Sequence, residues 1–403
     1  MRVAYDVTPI DGHLSGVGNY ALHLLNHLIE EGMAHEYLPL SNRWLDPSCL
    51  SGGNCPLLDA SSLIIRRSSL AAMHPFPSRM LWMQCILPRM IRVLRPHLCH
   101  YTNSIGPLAN PCPYVVTIHD MTLSLLPGYH PWRKQLIVRP IVALVARRAH
   151  RIITVSEHAR QDIIRLLHVP SERVVVTPEA AAPIFTPASA AEQQRVRTQY
   201  HLNGPYLLYV GTLEPRKNLV RLIRAWHSLH SRDRIAHRLV IVGARGWHDA
   251  PIFHEVQALG CVDAVTFTGY VPLGDLPALY TAADAFAFPS LYEGFGLPVM
   301  EAMACGTPVL ISSTPALVEV AGESALQIDA SSTHTIASGI ERLLTDHALR
   351  AQLRQRGLQR SAQFSWQRTA RQTLQIYADA VARGAQASQP GDYDFRFEDR
   401  GGL

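Results

Sequence analysis

Short unbroken apolar runs alternate along this chain with longer segments whose apolar residues return every three or four positions. The runs at residues 3–7, 114–118, 151–155, 174–176, 206–210, 239–242, 265–267 and 283–288 have the length and the β-branched and aromatic content of buried strands. A helical pattern fills residues 19–31, strand and helix alternate to about residue 329, and helices occupy 332–383. Apolar strands separated by helices imply parallel sheets covered on both faces, an α/β, doubly wound architecture. At 403 residues the chain suits two domains of this kind. The alanine and proline run that follows 174–176 and ends near Pro187 reads as the hinge between them.

Composition narrows the setting. The seven cysteines (49, 55, 85, 99, 112, 261 and 305) are odd in number, scattered and never spaced Cys-x-x-Cys, which argues against a disulfide framework or zinc site and for a reducing compartment. Asp6 interrupts the first apolar stretch, so no signal peptide is expected. No run approaches the roughly 18 apolar residues of a membrane span. Of the 37 basic residues only Lys134 and Lys217 are lysine. From residue 64 to 151 there are twelve basic residues and one acidic residue, Asp120. Within 80–94, arginines alternate with Leu81, Trp82, Met83, Ile86, Leu87 and other apolar residues. Such a segment suits an anionic membrane surface, or else a core helix fringed by arginine, or a groove for an anionic acceptor. No nucleic-acid motif accompanies the charge, and no nucleic-acid partner is expected.

The richest chemistry lies at 289–309, PSLYEGFGLPVMEAMACGTPV. Pro289 and Ser290 end a strand, Glu293 stands in the turn, and Gly294-Phe295-Gly296 lets backbone N–H groups approach a ligand. Pro298 opens a helix that Gly306 and Pro308 close. A helix start behind glycines favours anionic oxygens, while Glu293 and Glu301 on either side suit sugar hydroxyls, so the stretch suggests a nucleotide-sugar site. The plainer reading is a solvated Glu293 and a Glu301 that only favours the helix dipole. After the strand at 206–210 come Gly211 and then Arg216-Lys217, paired cations at a helix start that suit a diphosphate. The strand at 114–118 ends in His119-Asp120, at the crevice side of an open sheet. The first strand leads to a glycine loop, Gly12, Gly16 and Gly18, without G-x-G-x-x-G spacing. Ser156, after the strand at 151–155, reads as a helix N-cap.

The run EGFGLPVMEAMACGTPV resembles the Glu-x7-Glu signature of the retaining glycosyltransferases of family 4, proteins of GT-B fold with two Rossmann-like domains facing a central cleft. The resemblance covers about residues 1–383 and is strongest after residue 206. It implies an acceptor-side domain at 1–182, a nucleotide-sugar domain at 183–372, and a helix at 373–383 that returns to the first domain. A Gly/Gln/Ser/Asp-rich tail at 384–403 is expected to be disordered. It implies Arg216 and Lys217 on the leaving diphosphate, the backbone of Gly294, Phe295, Gly296 and Leu297 beside it, and Gly211 before it. Glu293 and His119 would contact the transferred sugar, Glu301 the ribose hydroxyls, Tyr270 and Val271 the nucleobase, Asp120 the acceptor, and Gly16 and Gly18 the diphosphate or acceptor. Valine at 318, where the family often has proline before glutamate, leaves the surroundings of Glu319 open. Around Arg245-Gly246-Trp247 the chain is similar to mannosyltransferases of bacterial O-antigen polysaccharides. The implied reaction is therefore retaining hexosyl transfer to a glycan or lipid-linked glycan, with GDP-mannose the first choice of donor and UDP-glucose or a deoxysugar donor open. No cofactor or metal is expected, and the implied location is the cytoplasm, free or peripheral on the inner face of the cell membrane. The rival readings are a glycosidase built on the paired carboxylates, a sugar-nucleotide epimerase, and a non-catalytic module for anionic lipid or polysaccharide.

Overall fold

The computed structural model describes residues 1–10, 15–42, 79–130 and 132–387. Gly12 and its loop, Arg66, Arg67 and the tail from residue 388 lie outside the described residues. Two six-stranded sheets, parallel throughout, carry the fold. The first contains β1 (Arg2–Asp6), β2 (Glu36–Leu40), β3 (Leu98–Tyr101), β4 (Tyr114–Thr117), β5 (Arg151–Thr154) and β6 (Val174–Val176), in the order β2-β1-β3-β4-β5-β6. The second contains β7 (Tyr206–Val210), β8 (Arg238–Val242), β9 (Val265–Gly269), β10 (Ala285–Phe288), β11 (Val309–Ser312) and β12 (Ala325–Ile328), in the order β12-β11-β10-β7-β8-β9.

The apolar runs marked all of these strands except β2, β3, β11 and β12. β2 is an edge strand carrying Pro39, which an edge position tolerates. β3 is LCHY, and its His100 is fully buried because Tyr377 Oη and Thr117 Oγ1 partner its two ring nitrogens at 2.7 and 2.8 Å. A polar residue satisfied inside a central strand breaks the apolar pattern without breaking the strand. In each sheet the strand order reverses once, next to β1 in the first and between β7 and β10 in the second. Loops leaving the carboxyl ends of strands at such a reversal form the natural ligand crevice.

The last helix, Trp366–Ala387, lies on the first domain against the Gly16–Glu31 helix. It starts before the expected residue 373 and continues four residues into the segment expected to be disordered. Packing explains both ends. Trp366 is buried against Tyr20, Arg371 pairs with Glu31 at 2.7 Å, Asp379 pairs with Arg151, and Gly384 lies tight against Pro113. The segment at 80–94 also differs from a surface-lying helix. Trp82, Met83, Leu87 and Ile91 are buried in the first domain's core, while Arg89, Arg92 and Arg95 point to solvent. The apolar side chains that this domain exposes lie mainly elsewhere, on the Trp132–Arg148 helix: Trp132, Leu136, Ile137 and Leu144. Among the described residues no helix is long and apolar enough to cross a membrane.

Removing the Tyr377 hydroxyl tests the docking of the last helix. Tyr377→Phe strands a buried His100 nitrogen, and urea unfolding is expected to show a loss of about 1–3 kcal/mol.

Candidate active site

The reversal in the second sheet brings two loops together. The loop after β7 carries Gly211 to Lys217, and the loop after β10 carries Pro289 to Gly296. They are stitched by backbone and side chain alike: Leu291 N–H donates to the Arg216 carbonyl at 2.9 Å, and the Asn218 amide donates to Pro289 O at 3.1 Å and Ala330 O at 2.8 Å. At the centre, Glu293 Oε1 accepts from Lys217 Nζ at 2.6 Å and Oε2 accepts from Arg216 Nη1 at 2.7 Å. All three side chains are nearly enclosed. Arg216 also donates to the Tyr292 carbonyl at 2.8 Å and through Nε and Nη2 to Glu214 at 3.1 and 2.6 Å, so four of its five N–H groups are engaged. Lys217 keeps two N–H groups beyond the Glu293 bond, and its ammonium stands 5.0 Å from the centre of the Phe288 ring.

The charge states follow from this packing. Burial alone would raise the Glu293 carboxyl, but Arg216 and Lys217 outweigh it and hold the group at about 2. Burial and the Arg216 charge lower Lys217, with Glu293 and Glu214 opposing them. The guanidinium of Arg216 is lowered by burial and raised, on balance, by Glu293, Glu214 and Asp120. Glu301 differs. It is the fifth residue of the Leu297–Ala304 helix, at the end of its first turn as the sequence suggested, and it accepts from the Tyr280 hydroxyl at 2.9 Å. Burial pushes its carboxyl up to about 7, with Tyr280 opposing the rise and the charge of Glu179 adding to it.

The first domain closes over this cluster. A Cβ on Gly294 would lie 2.0 Å from the His119 carbonyl oxygen and 3.2 Å from Asp120 Cβ, so only glycine fits there. Gly296 has φ 102°, and a Cβ there would meet Leu317 at 2.4 Å. Ser156 caps its own helix through Ala159 N–H at 3.1 Å, as expected, and also donates to the Gly294 carbonyl at 2.6 Å. Tyr292 donates to Asp162 at 2.8 Å. Glu319 accepts from the Glu157 and His158 N–H groups at 2.8 and 3.0 Å, capping a helix of the opposite domain. Phe295, Met300 and Val320 pack into the apolar cluster of the first domain.

The structure therefore gathers His119, Asp120, Arg216, Lys217, Glu293, Gly294 and Phe295 at one seam, with Gly296, Leu297 and Glu301 on the adjoining helix. Gly211 leaves β7 at the base of the same loop. Gly16 and Gly18 stand at the start of the first helix, where Gly18 N–H donates to Ser15 Oγ at 3.3 Å, and Tyr270 and Val271 follow β9 at the sheet's far edge. Asp120 is occupied locally, accepting from Thr122 N–H at 2.9 Å. Sequence reasoning missed Glu214, Tyr280, Tyr292, Asp162 and Glu179; all but Glu214 have partners that are distant in the chain or in the other domain. Glu214, two residues before Arg216, left the best local signal.

Residues 14–183 match the profile described as Glycosyltransferase Family 4, and residues 191–360 match that described as Glycosyl transferases group 1. The chain is 33% identical to the O-antigen chain mannosyltransferase B of Escherichia coli, over 94% of this chain and 99% of that one. In fold it is similar to a sucrose-phosphate synthase from Thermosynechococcus elongatus (TM-score 0.72, 21% identity, 95% and 100% of the two chains). It is likewise similar to WaaG, a glycosyltransferase of lipopolysaccharide biosynthesis (TM-score 0.70, 14% identity, 93% and 99%).

Glu301 supplies a pH test. Its folded pKa of about 7 lies above the ordinary 4.5, so folding is favoured by protonation. That contribution is full below about 4.5 and is lost as pH rises through 7, a change of roughly 3 kcal/mol. Glu301→Gln is expected to flatten the fall in unfolding free energy between pH 5 and 8 and to be the more stable protein at pH 8. Equal slopes in chemical denaturation would refute the assignment.

Proposed function

Since the chain belongs to the family 4 glycosyltransferases of GT-B fold, we propose that it transfers a mannosyl unit from GDP-mannose to a glycan or lipid-linked glycan acceptor, with retention of anomeric configuration. The observation that carries this reading is the buried Arg216–Glu293–Lys217 cluster at the strand-order reversal, beside the helix that begins at Leu297. Charge grows on the leaving diphosphate as the glycosidic bond breaks. A cation already held in a desolvated cleft stabilises that charge without reorganising, and no metal is needed for it. Lys217, with two N–H groups to offer, takes the diphosphate, while Arg216 fixes the loop and adds field. Glu293, held ionised, accepts from the hydroxyls of the transferred sugar, and Glu301 from the ribose. Same-face attack, with the leaving phosphate assisting removal of the acceptor's proton, suits a site whose carboxylate is already clamped. Mannose is favoured by the whole-length likeness to an O-antigen mannosyltransferase.

The acceptor reaches the seam from its open side. A cavity of about 280 Å³ there is bordered by Tyr129 of the first domain and by Asn218, Arg221, His248 and Leu291 of the second. The first domain would meet an anionic membrane through the Trp132–Arg148 helix. Trp132, Leu136 and Ile137 are exposed there together with Arg139, Arg147 and Arg148, a basic and apolar face complementary to acidic headgroups.

Two measurements test these points. In a thermal-shift assay with EDTA present, GDP and GDP-mannose are expected to raise the melting temperature where UDP and dTDP do not, by about 2.7 kcal/mol of stabilisation at a hundredfold excess over Kd. Lys217→Ala is expected to lose that shift. No shift with any nucleotide would remove the donor assignment. In vesicle co-sedimentation, Leu136→Glu with Ile137→Glu is expected to release the protein from phosphatidylglycerol vesicles, and binding unchanged by the pair would remove the membrane face.

A further inference from the structure

Glu179 is a buried carboxylate that the proposed reaction leaves unused. It follows β6 on the crossover between the domains and is 6% exposed. Its Oε1 lies 3.3 Å from His119 Nδ1, and the other ring nitrogen, Nε2, is 2.9 Å from the Thr102 carbonyl oxygen. A backbone carbonyl can only accept, so Nε2 carries a hydrogen, and this fixes the ring with Nδ1 turned toward the Glu179 carboxyl. The edge of the ring is closed by Tyr20, with centroids 4.6 Å apart and planes nearly perpendicular. A carboxylate this deep is costly unless it is paired, and His119 is the partner the fold gives it.

We propose that Glu179 is a positioning residue for sugar transfer: its carboxyl, beside Nδ1, holds the His119 ring in one orientation at the cleft wall next to Gly294. This rests on reading that cleft as the donor site. The other titratable groups around the pair are Tyr20 and His100 from the first domain and Glu301 from the second. Glu179 raises both Tyr20 and Glu301 by its charge, behind the larger effect of burial, and His100 is lowered by burial and then by His119. One carboxylate on the crossover thus bears on the histidine of one wall and the glutamate of the other.

Glu179→Gln keeps the shape and removes the charge. With GDP-mannose and octyl α-mannoside, kcat is expected to fall at least tenfold, with the KM for GDP-mannose changed less than twofold. In the His119→Ala background the same substitution is expected to change kcat less than twofold, because the residue acts through the ring. Independently of turnover, ¹⁵N-histidine spectra are expected to show the His119 Nδ1 signal moved in Glu179→Gln, with the signals of the other histidines in place. If His119→Ala lowers turnover and Glu179→Gln does not, or if the His119 Nδ1 signal is the same in the wild type and in Glu179→Gln, the inference falls while the donor-site reading stands. If no substitution of either residue affects turnover, the donor-site reading falls with it.

Discussion

A carboxylate buried to the depth of Glu293 has to be paired, and this requirement organises the second domain. Its two oxygens are met by cations from consecutive residues of a loop about 76 positions earlier in the chain. The pairing therefore pins the loop after β7 to the loop after β10, at the one point in the sheet where their strands are neighbours. Removing either cation leaves an uncompensated charge, which costs far more than the pair contributes. Glu214 extends the same logic by holding Arg216 from the other side, so the guanidinium is fixed before any ligand arrives. Preorganisation of this kind is what makes a fixed cation useful to a developing negative charge.

Much of this was legible in the sequence wherever a residue's role is local. The apolar runs located most strands, and the glycine-flanked Glu293 with the adjacent Arg216-Lys217 marked both loops of the crevice. The misses share a physical cause. His100 hides β3 because Tyr377 and Thr117, far away in the chain, make a buried histidine affordable. Trp82 among its arginines left a core helix fringed by arginine, a membrane-facing helix and an acceptor groove open, because periodicity cannot tell which side of a helix meets a core, and the first is what forms. Glu179 carries no signal of its own because its partner, His119, is distant in the chain. Glu319, at a position the valine left open, gains its role only from N–H groups that the other domain supplies.

The seam between the domains makes the cleft a joint construction. Gly294 touches the His119 carbonyl, Ser156 bonds Gly294, Tyr292 reaches Asp162, and Glu319 caps a helix across the gap. None of these bonds adds chemistry. Together they hold the glycine turn against the end of β4. These contacts are mainly polar and few in number, so parting them costs less than parting an apolar interface. The clasp formed by Phe295, Met300 and Val320 with the first domain is the apolar exception, and it lies behind the turn, where a pivot would be placed.

The two glutamates of the signature might suggest hydrolysis, since their environments drive their carboxyls apart, to about 2 and about 7. Divergent carboxyls are the usual mark of an acid and a nucleophile or base. The contacts argue otherwise. A nucleophilic carboxylate needs an oxygen aimed at the anomeric carbon, and both oxygens of Glu293 are clamped by cations at 2.6 and 2.7 Å. A general acid needs a proton to give toward the leaving group, and Glu301 sits one turn into a helix with the Tyr280 hydroxyl donating to it. Its raised pKa reflects burial more than any proton-transfer partner. Divergence here records two different surroundings, one carboxylate held charged by a cation pair and one raised by burial with a tyrosine hydroxyl donating to it. A site arranged in this way is suited to gripping a charged donor and poorly suited to hydrolysing a neutral glycoside.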